Sequence, residues 1–151
     1  MTVTDEDLWS PLSSMLSRIA QGDISPVALT EAMLARIEAL EPKLNAYITV
    51  TGDLALEQAA RAQREIAAGK VRGPLHGIPI ALKDLVATAG IRTTFASNAY
   101  ASWVPDADAD ITERLRSAGA VLLGKTNLSE GAADSSSVSS AFGAPHNPWH
   151  L

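Results

Sequence analysis

Gly73-Pro74-Leu75-His76-Gly77-Ile78-Pro79-Ile80-Ala81-Leu82-Lys83-Asp84 is the stretch whose reading decides the fold. Its first five residues are turn chemistry, and Ile78 to Leu82 follows as a strand. Successive side chains of a strand point to opposite faces. Ile78, Ile80 and Leu82 therefore make a bulky side, while Lys83 shares the other side with small Pro79 and Ala81. A lysine emerging at the end of a buried strand, with room beside it, is a costly placement. Desolvation disfavours its ammonium form and leaves an amine that can act as a base near neutral pH. The competing reading is a strand-end lysine that snorkels to water and pairs with Asp84. On spacing alone that second reading is favoured, because most lysines are solvated.

Upstream of this strand the pattern is helical. Ser10-Pro11 and Ser25-Pro26 each read as an N-cap serine followed by proline at the first helical position. Leu12, Met15, Leu16 and Ile19 recur at helical spacing after the first pair, and Gly22 ends that run. Val27, Met33, Leu34, Ile37 and Leu40 form a second stripe, which Pro42 is expected to stop. Ala46 to Val50 reads as a short strand. Asp53 is expected to cap a third helix that carries Ala55, Ala59, Ala62 and Ile66 on one face and closes at Gly69.

Downstream, Thr88-Ala89-Gly90 turns the chain into a polar stretch that runs through Pro105. A helix from about Ala109 to Ala118 ends at Gly119, and Ala120 to Leu123 is a short buried strand. A serine-rich loop and the segment Ala144-Pro145-His146-Asn147-Pro148-Trp149-His150-Leu151 complete the chain. Helices alternating with short apolar strands indicate an α/β layered fold. Asn147-Pro148-Trp149 is loop chemistry with nothing after it to close a domain, so the chain is expected to be part of a longer one.

Composition narrows the function classes. The 151 residues are 46% apolar and 19% charged, with a formal net charge of -5. That balance belongs to a globular domain and not to a disordered tail. A mildly acidic chain without a basic run lacks the electrostatic footprint of a nucleic-acid binder, so nucleic acid is not expected as a partner. The absence of cysteine excludes disulfides, thiolate nucleophiles and cysteine-ligated metal within the chain. No apolar run approaches membrane-spanning length, and Met1 to Asp7 is too acidic for a signal peptide. The expected setting is cytoplasmic, with no membrane partner.

Gly119-Ala120-Val121-Leu122-Leu123-Gly124-Lys125-Thr126 satisfies the P-loop pattern letter for letter. A P-loop needs a flexible stretch that wraps phosphates with backbone N–H groups. Ala-Val-Leu-Leu belongs in a sheet instead, and the first glycine follows a helix, where it serves as a C-terminal cap. Nucleotide binding is therefore not expected. Lys125 reads as a strand-end surface lysine and Asn127 as the anchor of the following turn. Asp84 should point away from Lys83 and be structural. His146 and His150 are four apart, but Pro148 breaks the helix that would align them as metal ligands, so solvent-exposed histidines are expected. Neither a metal nor a cofactor is expected.

The segment from Gly73 to Asp84 resembles the lysine-bearing motif of the amidase signature family. Ala118 to Glu130, with Gly124-Lys125-Thr126-Asn127, is similar to the family's helix–strand–turn element. Ala141-Phe142-Gly143 and Asn147-Pro148-Trp149 resemble the approach to its glycine- and serine-rich signature. These motifs occur in the family's order across about half the chain, and it is the combination that is specific. The resemblance implies the N-terminal part of a layered α/β/α fold with a mixed central sheet. It places an N-terminal helical region at residues 1–70 and the start of the α/β core at residues 71–151.

The resemblance also implies chemistry. Family members hydrolyse carboxylic amides to acid plus ammonia or amine through a Ser–cis-Ser–Lys relay that forms an acyl-enzyme, with the lysine as base. Lys83 takes that role here, and both serines are expected beyond residue 151. Gly131, Ala132, Ala133, Asp134, Ser135 and Ser136 are expected to line the substrate pocket, the competing reading being a polar surface loop. This loop departs from the commoner pattern, with Gly131 and Asp134 where an aromatic and a small residue are usual, so pocket shape is open. Ser135 to Ser140 lack the flanking glycines of a nucleophile turn. The implied partners are a small-molecule amide and the rest of the amidase fold, and a homodimer is compatible with it. Two rival readings stand beside this one. One is an A-type subunit of a glutamyl-tRNA amidotransferase; the other is a non-catalytic half-fold that binds or scaffolds.

Overall fold

The computed structural model describes residues 3–149. Four α-helices and three strands follow in the order α1 (Leu12–Gln21), α2 (Pro26–Leu44), β1 (Tyr47–Val50), α3 (Gly52–Ala67), β2 (Pro79–Lys83), α4 (Asp110–Ser117) and β3 (Val121–Thr126). The strands form one sheet in the order β1-β3-β2. β1 runs antiparallel to β3, with Tyr47 opposite Thr126 and Val50 opposite Gly124. Between β2 and β3, Val121 N donates to Ile78 O at 2.8 Å and Asp84 N to Thr126 O at 3.0 Å. Those partners ascend together along both strands, which is the parallel arrangement. The result is the α/β architecture that the alternating pattern indicates, with the mixed sheet that the resemblance implies.

The chain divides into two compact units. One gathers the chain up to Ile37, Thr51–Ile80 and Leu115–Leu123; the other gathers Glu38–Val50, Ala81–Arg114 and the chain from Gly124. The first unit holds both apolar cores. Met15, Ile19, Ile24, Leu29 and Ile78 form one, and Ile66 and Ile80 pack against it. In the other, Ala55 and Ala59 of α3 meet Val121 and Leu123 of β3. Alanines at i and i+4 leave the helix backbone free to approach the strand, which explains an alanine-rich face that loses all exposure at Ala55 and Ala59.

Several boundaries differ from the expectations. Ser25 caps α2 as expected, its Oγ accepting from Ala28 N at 2.9 Å. Pro42 does not stop that helix, which continues to Leu44. So close to a C-terminus proline forfeits only its own N–H bond, and Asn45, at φ 48, makes the actual exit. α1 begins at Leu12 with Pro11 as its cap residue, and Ser10 Oγ donates to Glu6 O without capping. α3 begins at Gly52 and not behind an Asp53 cap. The preceding Thr51 is engaged by the sheet instead, its N donating to Leu123 O at 2.9 Å and its Oγ1 to Leu122 O at 2.8 Å. β3 extends three residues past the expected Leu123.

Candidate active site

Lys83 closes β2, and the strand's two-sidedness is the expected one. Ile78 and Leu82 are buried and Ile80 is half-buried, whereas Ala81 and Lys83 are exposed. The expected burial of the Lys83 amine is therefore not supplied by the described residues: on the face it shares with Pro79 and Ala81, Pro79 is half-buried and Ala81 is exposed. Nor does any described residue pair with it. Lys83 makes no side-chain hydrogen bond or ion pair among the described residues. Its carbonyl accepts from Val86 N at 2.9 Å, closing the turn after the strand.

Asp84 lies on the opposite face and is fully buried. Its Oδ2 accepts from Thr94 N at 2.8 Å and from Thr94 Oγ1. Its Oδ1 has no hydrogen-bond donor among the described residues and faces the Lys125 ammonium at 3.5 Å. The backbone is held as firmly, with Asp84 N donating to Thr126 O and Asp84 O accepting from Phe95 N at 2.9 Å.

Lys125 is not the surface lysine expected from its place near a strand end. It is completely buried, and its Nζ donates to Val86 O at 2.8 Å and to Thr93 Oγ1 at 2.6 Å. Burial holds its ammonium below the usual lysine range, and the Asp84 carboxylate opposes that shift. A buried lysine persists only when paired and hydrogen-bonded, and here one carboxylate and two oxygens meet that need. The legible signal was parity, since Lys125 alternates in step with Val121 and Leu123. The glycine-lysine-threonine pattern thus sits inside β3, with no loop to wrap a phosphate.

The residues expected to line the pocket are tied to this centre through Phe95. Phe95 N donates to Asp84 O, and Phe95 O accepts from Gly131 N at 2.8 Å. Phe95 and Ala96 both take left-handed backbone, at φ 54 and 53, which sequence reasoning did not anticipate. Next to Gly131 a cavity of about 200 Å³ is lined by Phe95, Ser97, Tyr100, Glu130 and Gly131, and Ser97 Oγ donates to Glu130 Oε1 at 2.6 Å. Tyr100 lies tilted and Trp103 stacked against Phe95, with ring centroids 5.2 and 5.8 Å from it.

Gly131, Ala132, Ala133, Asp134, Ser135 and Ser136 are all exposed. Asp134 organises them: its carboxylate accepts from Ser136 N and Ser136 Oγ at 2.7 Å, from Ser137 N at 3.1 Å and from Ser139 Oγ at 2.7 Å. Those donors, the Ser136 hydroxyl foremost, lower its pKa to about 2. Ser129 Oγ donates to Asp134 O at 2.7 Å. No hydrogen bond or ion pair of the described residues joins this loop directly to the Lys83 side chain.

Asn127 anchors the turn as expected. Its Nδ2 donates to Asn45 O at 3.0 Å and Gly143 O at 2.9 Å, and its Oδ1 accepts from Leu128 N and Ser140 Oγ. His146 is exposed, and His150 lies outside the described residues. Among the described residues no three His, Cys, Asp or Glu side chains are grouped to hold a metal ion. No described helix is long and apolar enough to cross a membrane.

Residues 28–151 match the amidase family model. The A-type subunit of the glutamyl-tRNA(Gln) amidotransferase from Geobacter metallireducens is 53% identical over 134 residues, covering 89% of this chain and 27% of that protein. Among solved structures, the native peptide amidase of Stenotrophomonas maltophilia is 44% identical with a TM-score of 0.82, over 90% of this chain and 29% of that one. A 6-aminohexanoate cyclic dimer hydrolase complexed with substrate is 32% identical with a TM-score of 0.83, over 96% of this chain and 29% of that one. The chain spans just over a quarter of the length of the curated relatives it matches.

Proposed function

The chain belongs to the amidase family, and from that premise we propose that the full-length protein hydrolyses a carboxylic amide to acid plus ammonia or amine, with Lys83 as its base. The observation that carries this reading is the separation of Lys83 from Asp84. The neighbouring carboxylate is committed to Lys125 and Thr94, so it does not pair with Lys83, and among the described residues the Lys83 amine stands unpartnered on the small-residue face of β2.

In the relay the free amine of Lys83 accepts a proton from a bridging serine, which in turn takes the proton of the nucleophilic serine. The nucleophile's oxygen bonds to the amide carbon. The tetrahedral intermediate collapses, the C–N bond breaks, and the returning proton leaves with the amine. Water then attacks the acyl-enzyme and releases the acid. Both serines are assigned beyond residue 151. Residues 131–136 form one wall of the substrate pocket, and residues 71–151 begin an α/β core behind a helical region at 1–70. The setting is cytoplasmic, no cofactor takes part, and a homodimer is compatible with the reading.

A second reading, an A-type amidotransferase subunit, is favoured by the 53% identity to such a protein. The two share the amide-hydrolysing step and differ in partners. The experiment supplies full-length protein with a panel of simple amides, including glutamine, and adds hydroxylamine to intercept the acyl group. Hydroxamate together with ammonia release supports the relay. Release from glutamine only after companion subunits are added selects the second reading. A folded protein that forms neither product with any amide, alone or in company, overturns both and leaves a binding or scaffold role.

A further inference from the structure

Lys125 is the buried cation of this region and has no part in the relay described above. It makes three contacts, two of them within the turn from Lys83 to Val86: the Asp84 carboxylate and Val86 O, with Thr93 Oγ1 as the third. The turn itself is closed by Val86 N on Lys83 O. Asp84 is in turn fixed by Thr94, Phe95 and Thr126. The residue next to Lys83 is thus immobilised, and its charge is matched by an ammonium that has no other counter-ion among the described residues. A buried carboxylate whose Oδ1 has no hydrogen-bond donor acts strongly on any neighbouring cation unless a charge opposes it.

We propose that Lys125 is a positioning residue for the reaction: it holds the Lys83–Val86 turn and neutralises Asp84, so that Asp84 does not fix Lys83 in its ammonium form. This rests on Lys83 being the base. Three other titratable groups on the adjoining elements are engaged elsewhere. Arg92 donates to Ile48 O at 2.8 Å and to Thr49 Oγ1, Glu41 accepts from Tyr47 N at 2.8 Å, and Glu130 is held by Ser97. Tyr47 lies on β1 opposite Thr126, its phenol pushed above the usual range by burial. None of these pairs with Asp84, so Lys125 alone opposes its charge among the described residues.

The test is the pH dependence of kcat/KM for amide hydrolysis by the full-length protein. Wild type, Lys125→Met, Asp84→Asn and the double variant are compared, with Lys83→Ala as reference. Lys125→Met should move the acid limb upward by about one pH unit, a roughly tenfold loss on that limb, because an unopposed carboxylate favours the protonated base. Asp84→Asn, which keeps an oxygen for Thr94, should move the limb downward. The double variant should bring the midpoint back toward wild type whatever its absolute rate. Should Lys125→Met fail to fold, Asp84→Asn and the double variant decide. A contribution to stability alone lowers rates without moving midpoints, so coincident limbs alongside an inactive Lys83→Ala overturn this inference and leave the base assignment intact. An active Lys83→Ala removes the base assignment itself.

Discussion

Lys83 and Asp84 are consecutive in the chain and opposite in environment: the lysine is exposed without a partner among the described residues, the aspartate fully buried and held by Thr94 and Lys125. Strand alternation produces the split, since successive side chains leave β2 on opposite faces. Two residues that look in sequence like an ion pair are, among the described residues, an unpaired lysine and an aspartate held by Lys125 and Thr94.

Gly119 closes α4 at φ 82, and a Cβ there would stand 2.4 Å from His76 Cδ2 and 3.0 Å from His76 Cα. His76 cannot yield readily, because its Nε2 lies 3.0 Å from Glu65 and its Nδ1 accepts from Arg72 N at 3.1 Å. Gly119→Ala therefore combines backbone strain with overpacking and should cost about 2–4 kcal/mol. Urea unfolding checks this, and a change under ~0.5 kcal/mol, the range of a neutral surface substitution, contradicts it.

The glycine-lysine-threonine segment of β3 should not hold nucleotide. Gly124 approaches β1 so closely that a Cβ would meet Thr49 O at 2.2 Å, and Lys125 Nζ is occupied by Val86 and Thr93. ATP or GTP with magnesium should leave the melting temperature unchanged. A saturable upward shift abolished by Lys125→Ala contradicts the strand reading.

Asp134 gives the serine loop a defined acid response. Its pKa in the folded chain is about 2 against an ordinary 3.8, so its hydrogen bonds stabilise the loop fully above the ordinary value. That contribution fades as pH falls from near 4 through about 2. Protection of the Ser136 and Ser137 amides against hydrogen exchange, corrected for intrinsic rates, should drop across that window. In Asp134→Ala it should be low at every pH. Equal protection in variant and wild type at neutral pH contradicts the arrangement.

Much of the architecture was legible because local chemistry and tertiary packing agree. Ile78, Ile80 and Leu82 alternate against Pro79, Ala81 and Lys83, and the α3 alanines repeat at helical spacing; one core or the other takes up Ile78, Ile80, Ala55 and Ala59. Ser25 and Gly119 mark helix ends by chemistry that needs no distant partner. The misreadings fall where a distant partner decides. Thr51 is drawn to Leu122 across 71 residues, so the start of α3 moves off Asp53. Lys125 is buried because Thr93 and Asp84, both distant in sequence, supply oxygens for it. A charged residue in step with Val121 and Leu123 carried that information only as parity, which a surface lysine at a strand end also satisfies.

The internal order of the loop from Gly131 to Ser136 was not legible. Asp134 departs from the commoner small residue of the resembled motif, and nothing local says that Ser136, Ser137 and Ser139 will all turn their donors to it. The Phe95 link between Asp84 and Gly131 depends on left-handed backbone at two non-glycine residues, a conformation that propensity argues against.

Lys83 carries the proposed chemistry, and the measurement that reaches it most directly is amide turnover by the full-length protein carrying Lys83→Ala. Lys83 is exposed and makes no side-chain contact that the fold depends on among the described residues, so the variant should unfold at the wild-type temperature. Loss of the base should lower kcat by at least ~10²-fold, the usual contribution of a positioned general base. A folded variant that keeps more than about a tenth of wild-type turnover contradicts the assignment, because a relay without its base cannot run at that rate.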